Sequence, residues 1–213
     1  MILNMPDLTA AEKQGWLLSA VAPRPIALAS TISRDGKVNL SPFSFFNVFS
    51  SEPPILIFSP ARRIRDASRK HTLINIEQVA QVAISVVDSS ILDQVNTASA
   101  EYPDGVNEFT CAGFTEMKST KIQPPFVAES KISMECKVIE LKPMGRMGGA
   151  GNLIICEVLV MHVNESILDE NQKICPVKFG QVGRLGGDWY CNMDEFILFK
   201  LSKPEGIPEK LNS

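Results

Sequence analysis

Histidine is almost absent from this chain: His71 and His162 are the only two in 213 residues. A histidine-based catalytic triad or a His-rich metal centre therefore has little material to work with. The five cysteines are odd in number and none forms a C-x-x-C pair, so free thiols are a simpler reading than metal ligands, and no metal is expected. Apolar runs reach only a few residues, far short of the ~20 that a membrane-spanning helix needs. The N-terminus also lacks the basic stretch followed by a long apolar stretch that marks a secretory signal. A cytoplasmic protein without membrane contact is the expectation. Lys+Arg number 21 against 24 Asp+Glu, a net charge of −3. No global positive field is available to attract nucleic acid, and any anion site must be local. G-x-G-x-x-G, Walker, H-E-x-x-H and G-x-S-x-G patterns are missing too, which disfavours a Rossmann enzyme or a classical hydrolase.

What is present is an ordinary globular composition, 45% hydrophobic and 21% charged, in a length that fits one domain over 1–213. Residues 11–20 read as a short amphipathic helix, stopped by Pro23 and Pro25. An extended apolar segment, Pro25 to Thr31, meets the Asp35-Gly36 turn signal and resumes at Val38, which predicts a β-hairpin. Further strands are expected at Ile55–Phe58, Val82–Val87, Ile132–Leu141, Leu153–Val163 and Phe196–Leu201. Helices are expected after a cap at Thr72 and over 89–98. Residues 101–128 read as a long irregular excursion, and 145–151 as a Gly-rich turn. Many short strands with few helices predict a mainly β fold, a β-barrel with appended helices.

Two groups of residues carry chemical potential. Ser30, Thr31, Asn39, Ser41, Ser44 and Asn47 place hydroxyls and amides on short strands and turns, a surface suited to a polar heteroaromatic ligand. Arg62, Arg63, Arg65, Arg69, Lys70 and Thr72 lie at a helix entrance, where free N–H groups and the helix dipole favour phosphate. His71, among these basic residues, has more functional promise than His162, which alternates within a strand. By spacing alone, the simpler reading remains a solvated basic loop and serines that cap turns.

A set of blocks in a fixed order changes that balance: Pro23-Arg24-Pro25-Ile26-Ala27-Leu28 before Ser30-Thr31, Asp35-Gly36-x-x-Asn39-x-Ser41-Pro42-Phe43-Ser44-x-Phe46, Glu52-Pro53-Pro54, and Ser59-Pro60. Lys70-x-Thr72-Leu73-x-Asn75-Ile76 and Arg184-Leu185-Gly186-Gly187-x-x-Tyr190 follow. With these, the chain resembles the flavin reductase-like, FMN-binding split-barrel proteins, which include flavoredoxin and the reductase components of two-component monooxygenases. The resemblance implies an FMN-binding split barrel. It implies that Ser30, Thr31, Asn39, Ser41, Ser44 and Asn47 line the ring and ribityl chain, and that Ser59, Arg62, Lys70 and Thr72 hold the phosphate. Arg184, Gly186 and Tyr190 would approach from a partner chain or form the outer rim.

His71 departs from the family, which often has Asp there. The resemblance further implies a homodimer and hydride transfer from NADH or NADPH to the flavin. Electrons then pass to an acceptor such as a flavin-dependent monooxygenase. The flavin would carry the chemistry, so no catalytic side chain is expected. An FMN-binding electron carrier that never oxidises NAD(P)H is the alternative. A haem-binding or purely structural relative is a third reading, and two histidines offer it little.

Overall fold

A computed structural model describes residues 1–193 and Leu198; the strand expected at 196–201 lies outside the described residues. Twelve strands and five α-helices occur among the described residues. The strands are β1 (Arg24–Pro25), β2 (Ala27–Ile32), β3 (Val38–Phe43), β4 (Phe46–Ser51), β5 (Pro54–Phe58), β6 (Gln81–Val86), β7 (Glu116–Met117), β8 (Phe126–Val127), β9 (Ile132–Pro143), β10 (Asn152–Val163), β11 (Val182–Arg184) and β12 (Tyr190–Asn192). The helices are α1 (Ala10–Ala20), α2 (His71–Gln78), α3 (Leu92–Ala98), α4 (Glu108–Ala112) and α5 (Pro176–Phe179).

Seven strands form one sheet in the order β3-β2-β6-β9-β10-β5-β4, with every neighbouring pair antiparallel. Its two edge strands are consecutive in sequence, joined only by Ser44 and Phe45. Laid flat, seven strands would separate their edges by roughly 29 Å at ~4.8 Å per step. The three peptide units from Phe43 to Phe46 reach only about 11 Å. The sheet must therefore curl until its edges meet, and the Phe43 and Phe58 rings pack at 5.7 Å across that closure. The result is a mainly β split barrel whose seam runs between β3 and β4.

Alternation along β2 explains how both faces are buried. Ala27 and Ala29 face the barrel interior with Phe58, Ile84 and Ile154. Leu28 faces outward beneath a second core that includes Val95, Phe109 and Val127. That outer core gives structure to the excursion: residues 101–128 contain α4, β7 and β8 rather than irregular chain alone.

Two local expectations are corrected. Lys70, not Thr72, occupies the N-cap of α2, and Thr72 lies inside the helix with only 1% exposure. Its hydroxyl accepts from Asn39 Nδ2 at 3.0 Å, and Asn75 Nδ2 donates to Thr31 Oγ1 at 3.3 Å. These two bonds dock α2 on β2 and β3, which leaves the Thr72 hydroxyl no capping role. Helix α1 forms where expected, started by a Thr9–Glu12 capping box, but it buries no residue, and Trp16 and Leu17 are exposed. Local capping chemistry makes this helix without a core for it to cover.

Candidate functional site

The seam is also where concave surface collects. A hollow of about 510 Å³ is walled by Phe43, Ser44, Lys70, Arg184 and Tyr190. It shares Arg24 and Ser44 with a second hollow of about 330 Å³, walled by Phe45, Phe46, Asn47 and Ser59. Through Lys70 it joins a narrow polar recess containing Asn39, Ser41, Arg63 and Thr72. The three form one groove along the seam, apolar at one end and cationic at the other.

Most of the residues singled out in the sequence meet in this groove. Asn39, Ser41, Lys70 and Thr72 lie at its cationic end, Ser44 in the middle, Asn47 and Ser59 at the apolar end, and Arg184 and Tyr190 on its rim. The Arg184 guanidinium stacks 4.3 Å from the centre of the Tyr190 ring, which fixes the rim of the β11–β12 hairpin.

Four residues fall elsewhere. Ser30 and Thr31 are interior strand residues with 1% and 0% exposure. Thr31 serves α2, and the Ser30 hydroxyl has no hydrogen-bond partner among the described residues. Arg62 turns back into its own loop, where Nη1 donates to the Ala67 carbonyl at 2.9 Å; its neighbour Arg63 lines the recess instead. Gly186 is a packing residue, since a β-carbon there would collide with Ser19 of α1.

Lys70 links the two polar parts of the groove. Among the described residues its ammonium makes no ion pair, and it lies 5.7 Å from the Phe43 ring centre. Burial, and then the positive charge of Arg63, pushes its pKa below the ordinary lysine value, while Glu101 pulls the other way. Such a cation gains from an arriving anion. Beside it, the N-terminus of α2 adds unsatisfied N–H groups and the positive end of the helix dipole.

The Gly-rich turn supports this end from below. Arg62 N donates to Ala150 O at 2.9 Å, and Gly149 N donates to Arg62 O at 3.0 Å. A β-carbon on Gly148 would lie 2.5 Å from the Ile64 carbonyl oxygen, so only glycine admits the basic loop at that distance.

Sequence reasoning gave no role to Arg24, Glu101 or Glu108, and it counted Arg63 in the basic cluster while the resemblance put the phosphate on Arg62. Arg24 is 7% exposed and donates to the carbonyls of Leu18, Val21 and Leu185. Burial, then nearby Arg184, lowers its pKa. The available signal was an arginine set between prolines at the head of an apolar strand. Glu108 accepts from Leu40 N at 2.9 Å. Burial raises its pKa, opposed by that bond and by His71. Arg62 and Arg63 are adjacent in irregular chain, where no periodicity tells which one faces the groove.

A curled antiparallel sheet with a ligand-sized groove along its seam defines a split-barrel binding protein. The chain belongs to the flavin reductase-like domain family, whose model matches residues 19–178. A protein of Aquifex aeolicus is 38% identical over 82% of this chain and 86% of its own length. Among solved structures, nitrilotriacetate monooxygenase component B from Bacillus cereus aligns with a TM-score of 0.87 at 27% identity, covering 94% of this chain and 98% of that one. The 2-nitrobenzoate 2-nitroreductase of Pseudomonas fluorescens aligns at 0.83 and 26%, covering 98% of each. No helix among the described residues is long and apolar enough to cross a membrane.

Proposed function

We propose that the chain is an FMN-binding oxidoreductase of flavin reductase type, accepting a hydride from NADH or NADPH and passing electrons to an acceptor such as a flavin-dependent monooxygenase. The carrying observation is the groove's polarity. Apolar Phe45 and Phe46 wall one part of it, while Lys70, without an ionic partner among the described residues, stands with Arg63 at the other. That donor set fits a flat aromatic ring bearing a phosphate on a polar chain. Lys70, Arg63 and the α2 N-terminus would hold the phosphate, and Ser41, Ser44 and Asn47 would meet the polar edges of the chain and ring. When bound, the flavin supplies the hydride-accepting centre. The protein's own share is binding, orientation and exclusion of water.

A second copy of the chain is part of this reading. Edge strand β4 exposes Val48 and Phe49 at 66% and 70%, α1 exposes Trp16 and Leu17, and Val21 just past its end is exposed as well. Unpaired strand edges and clustered apolar surface favour self-association. Phe45, Asn47 and Val21 belong both to this region and to the groove wall, so a partner seated here would complete the site.

The test begins with FMN titration of the purified protein, followed by anaerobic addition of NADH or NADPH. Bleaching of bound flavin is expected. No affinity for FMN refutes the reading, and bound flavin that neither nucleotide reduces makes the protein a carrier instead. Sedimentation should give a mass near twice 23.4 kDa; a flavin-loaded monomer refutes the dimer.

A further inference from the structure

The cationic end of the groove already contains an anion. Glu101 lines the same recess as Arg63, Lys70 and Thr72. Its carboxylate spans two arginines, Oε1 at 3.1 Å from Arg63 Nε and Oε2 at 3.0 Å from Arg65 Nη1. We propose that Glu101 is a built-in competitor for the ligand phosphate at Arg63, and that it keeps FMN exchangeable rather than permanently held. The proposal rests on the FMN-binding reading above and sets the mode of use: flavin taken up, reduced and released.

Glu101 is carried on an arm that is itself anchored. Ser99 Oγ donates to Asn96 O at 2.6 Å and Tyr102 OH donates to Thr97 O at 3.2 Å, which ties the arm to α3. Further along, Asp104 pairs with Lys37 of the β2–β3 hairpin at 3.5 Å. The arm thus bridges two elements and places the carboxylate at the recess. Arg63 Nη1 is committed to Ser68 Oγ at 3.2 Å and Arg69 O at 2.8 Å, which leaves Nε and Nη2 as the donors a ligand could recruit. Its Nε is the group that Glu101 occupies, so a phosphate recruiting Nε must displace the carboxylate.

The competition is finely balanced. More than half of the Glu101 side chain is exposed, and exposed ion pairs are weak. Phosphate carries up to two charges and three acceptor oxygens, and meets Lys70 and the helix terminus as well. The carboxylate therefore weakens phosphate binding without abolishing it.

The experiment is Glu101→Gln, assayed by flavin fluorescence quenching with FMN and with riboflavin, after thermal melting confirms the fold. FMN should bind about 3- to 10-fold more tightly to the variant, the size that loss of one or two exposed pairs allows. It should also leave more slowly, with riboflavin affinity unchanged. At 1 M NaCl, where the screening length is roughly 3 Å, the difference should shrink. Weaker FMN binding would make Glu101 a positioning residue for Arg63 and overturn the proposal. Equal binding, or equal tightening of riboflavin, would overturn it too. Flavin binding to neither protein would instead defeat the underlying functional reading, and the competitor role with it.

Discussion

Arg24 and Leu185 are 161 residues apart in sequence, yet the Arg24 guanidinium donates to the Leu185 carbonyl at 3.0 Å. The same guanidinium holds the carbonyls of Leu18 and Val21 at the end of α1. One buried cation thus joins the start of the barrel, the first helix and the Arg184–Tyr190 rim. Replacing Arg24 by Ala leaves three carbonyls without their charged donor, at roughly 1.5–3 kcal/mol per charge-assisted bond before relaxation. A net loss of about 3 kcal/mol is expected, or roughly 6–12 °C in melting temperature for a chain of this size. Calorimetry checks it; a fall under about 2 °C would show that the bonds are replaced by water.

On the proposed reading, Lys70 and Arg63 hold the phosphate and Arg62 holds the loop. Lys70→Ala and Arg63→Ala should each weaken FMN binding by about 10- to 100-fold, the loss of one charge-assisted contact, and leave riboflavin within about 3-fold. Arg62→Ala should lower the melting temperature, and it should weaken FMN less than either of the others. The reverse order, measured by titration of the three variants side by side, would return the phosphate contact to Arg62.

The barrel was legible because its signals are local: the Asp35-Gly36 turn and the apolar runs of β2, β5, β6, β9 and β10. The groove was legible through Ser41, Ser44, Lys70 and Tyr190, polar residues within ordered family blocks, and through Asn47 one residue past such a block. Ser30 and Thr31 belong to the same blocks, yet pleating buries both, because β2 is covered on its two faces. Thr72 looked like a cap because Thr commonly is one. The amide of Asn39, 33 residues away, claimed its hydroxyl instead. Glu101 was out of reach of sequence reasoning, since its partners Arg63 and Arg65 are 38 and 36 residues distant.

Gly148→Ala tests the support beneath the basic loop. A β-carbon would meet the backbone of Ile64 at 2.5–3.0 Å, and backbone cannot rotate away as a side chain can. The loop should shift, with a cost of about 1–3 kcal/mol typical of overpacking. FMN affinity should fall more than riboflavin affinity, since the displaced segment leads to Arg63. Unchanged stability and flavin preference would show that the turn yields freely.

Glu135 and His162 predict an acid-sensitive element. Glu135 is fully buried, and burial alone would raise its pKa. Thr120 N, His162 Nε2, Lys121 N and the Thr120 hydroxyl outweigh it and lower the pKa to about 2. The folded value lies below the ordinary 4.5, so this stabilisation is fully present above pH ~4.5 and is lost as pH falls toward 2. A shift of that size corresponds to about 3 kcal/mol. Glu135→Gln should be less stable than wild type at pH 7, and the gap should narrow between pH 4.5 and 2.5. Urea unfolding at both ends of that window checks it; a gap independent of pH would mean that the carboxylate charge contributes nothing.

The cysteines should be dispensable for electron transfer. Cys136 and Cys156 are fully buried in adjacent strands. Burial, and then the charge of Glu135, pushes the Cys136 thiol up to about 12, and burial and then Cys136 raise Cys156 as well. Neither forms the thiolate that reactivity requires at neutral pH. Cys191 sits one residue after Tyr190, but its sulfur packs against Gly183, where an added β-carbon would lie 2.9 Å away. Only Cys111 is exposed among the five. A thiol reagent at pH 8 should therefore label Cys111 quickly and the two buried thiols only on unfolding. Replacing all five by Ala should cost a few kcal/mol of stability, mostly from the two core sites. FMN-dependent NADH or NADPH oxidation should stay within about 3-fold of wild type. Lost turnover in a variant that is folded and flavin-loaded would mean that a thiol takes part, and restoring Cys191 alone would show whether it is the one.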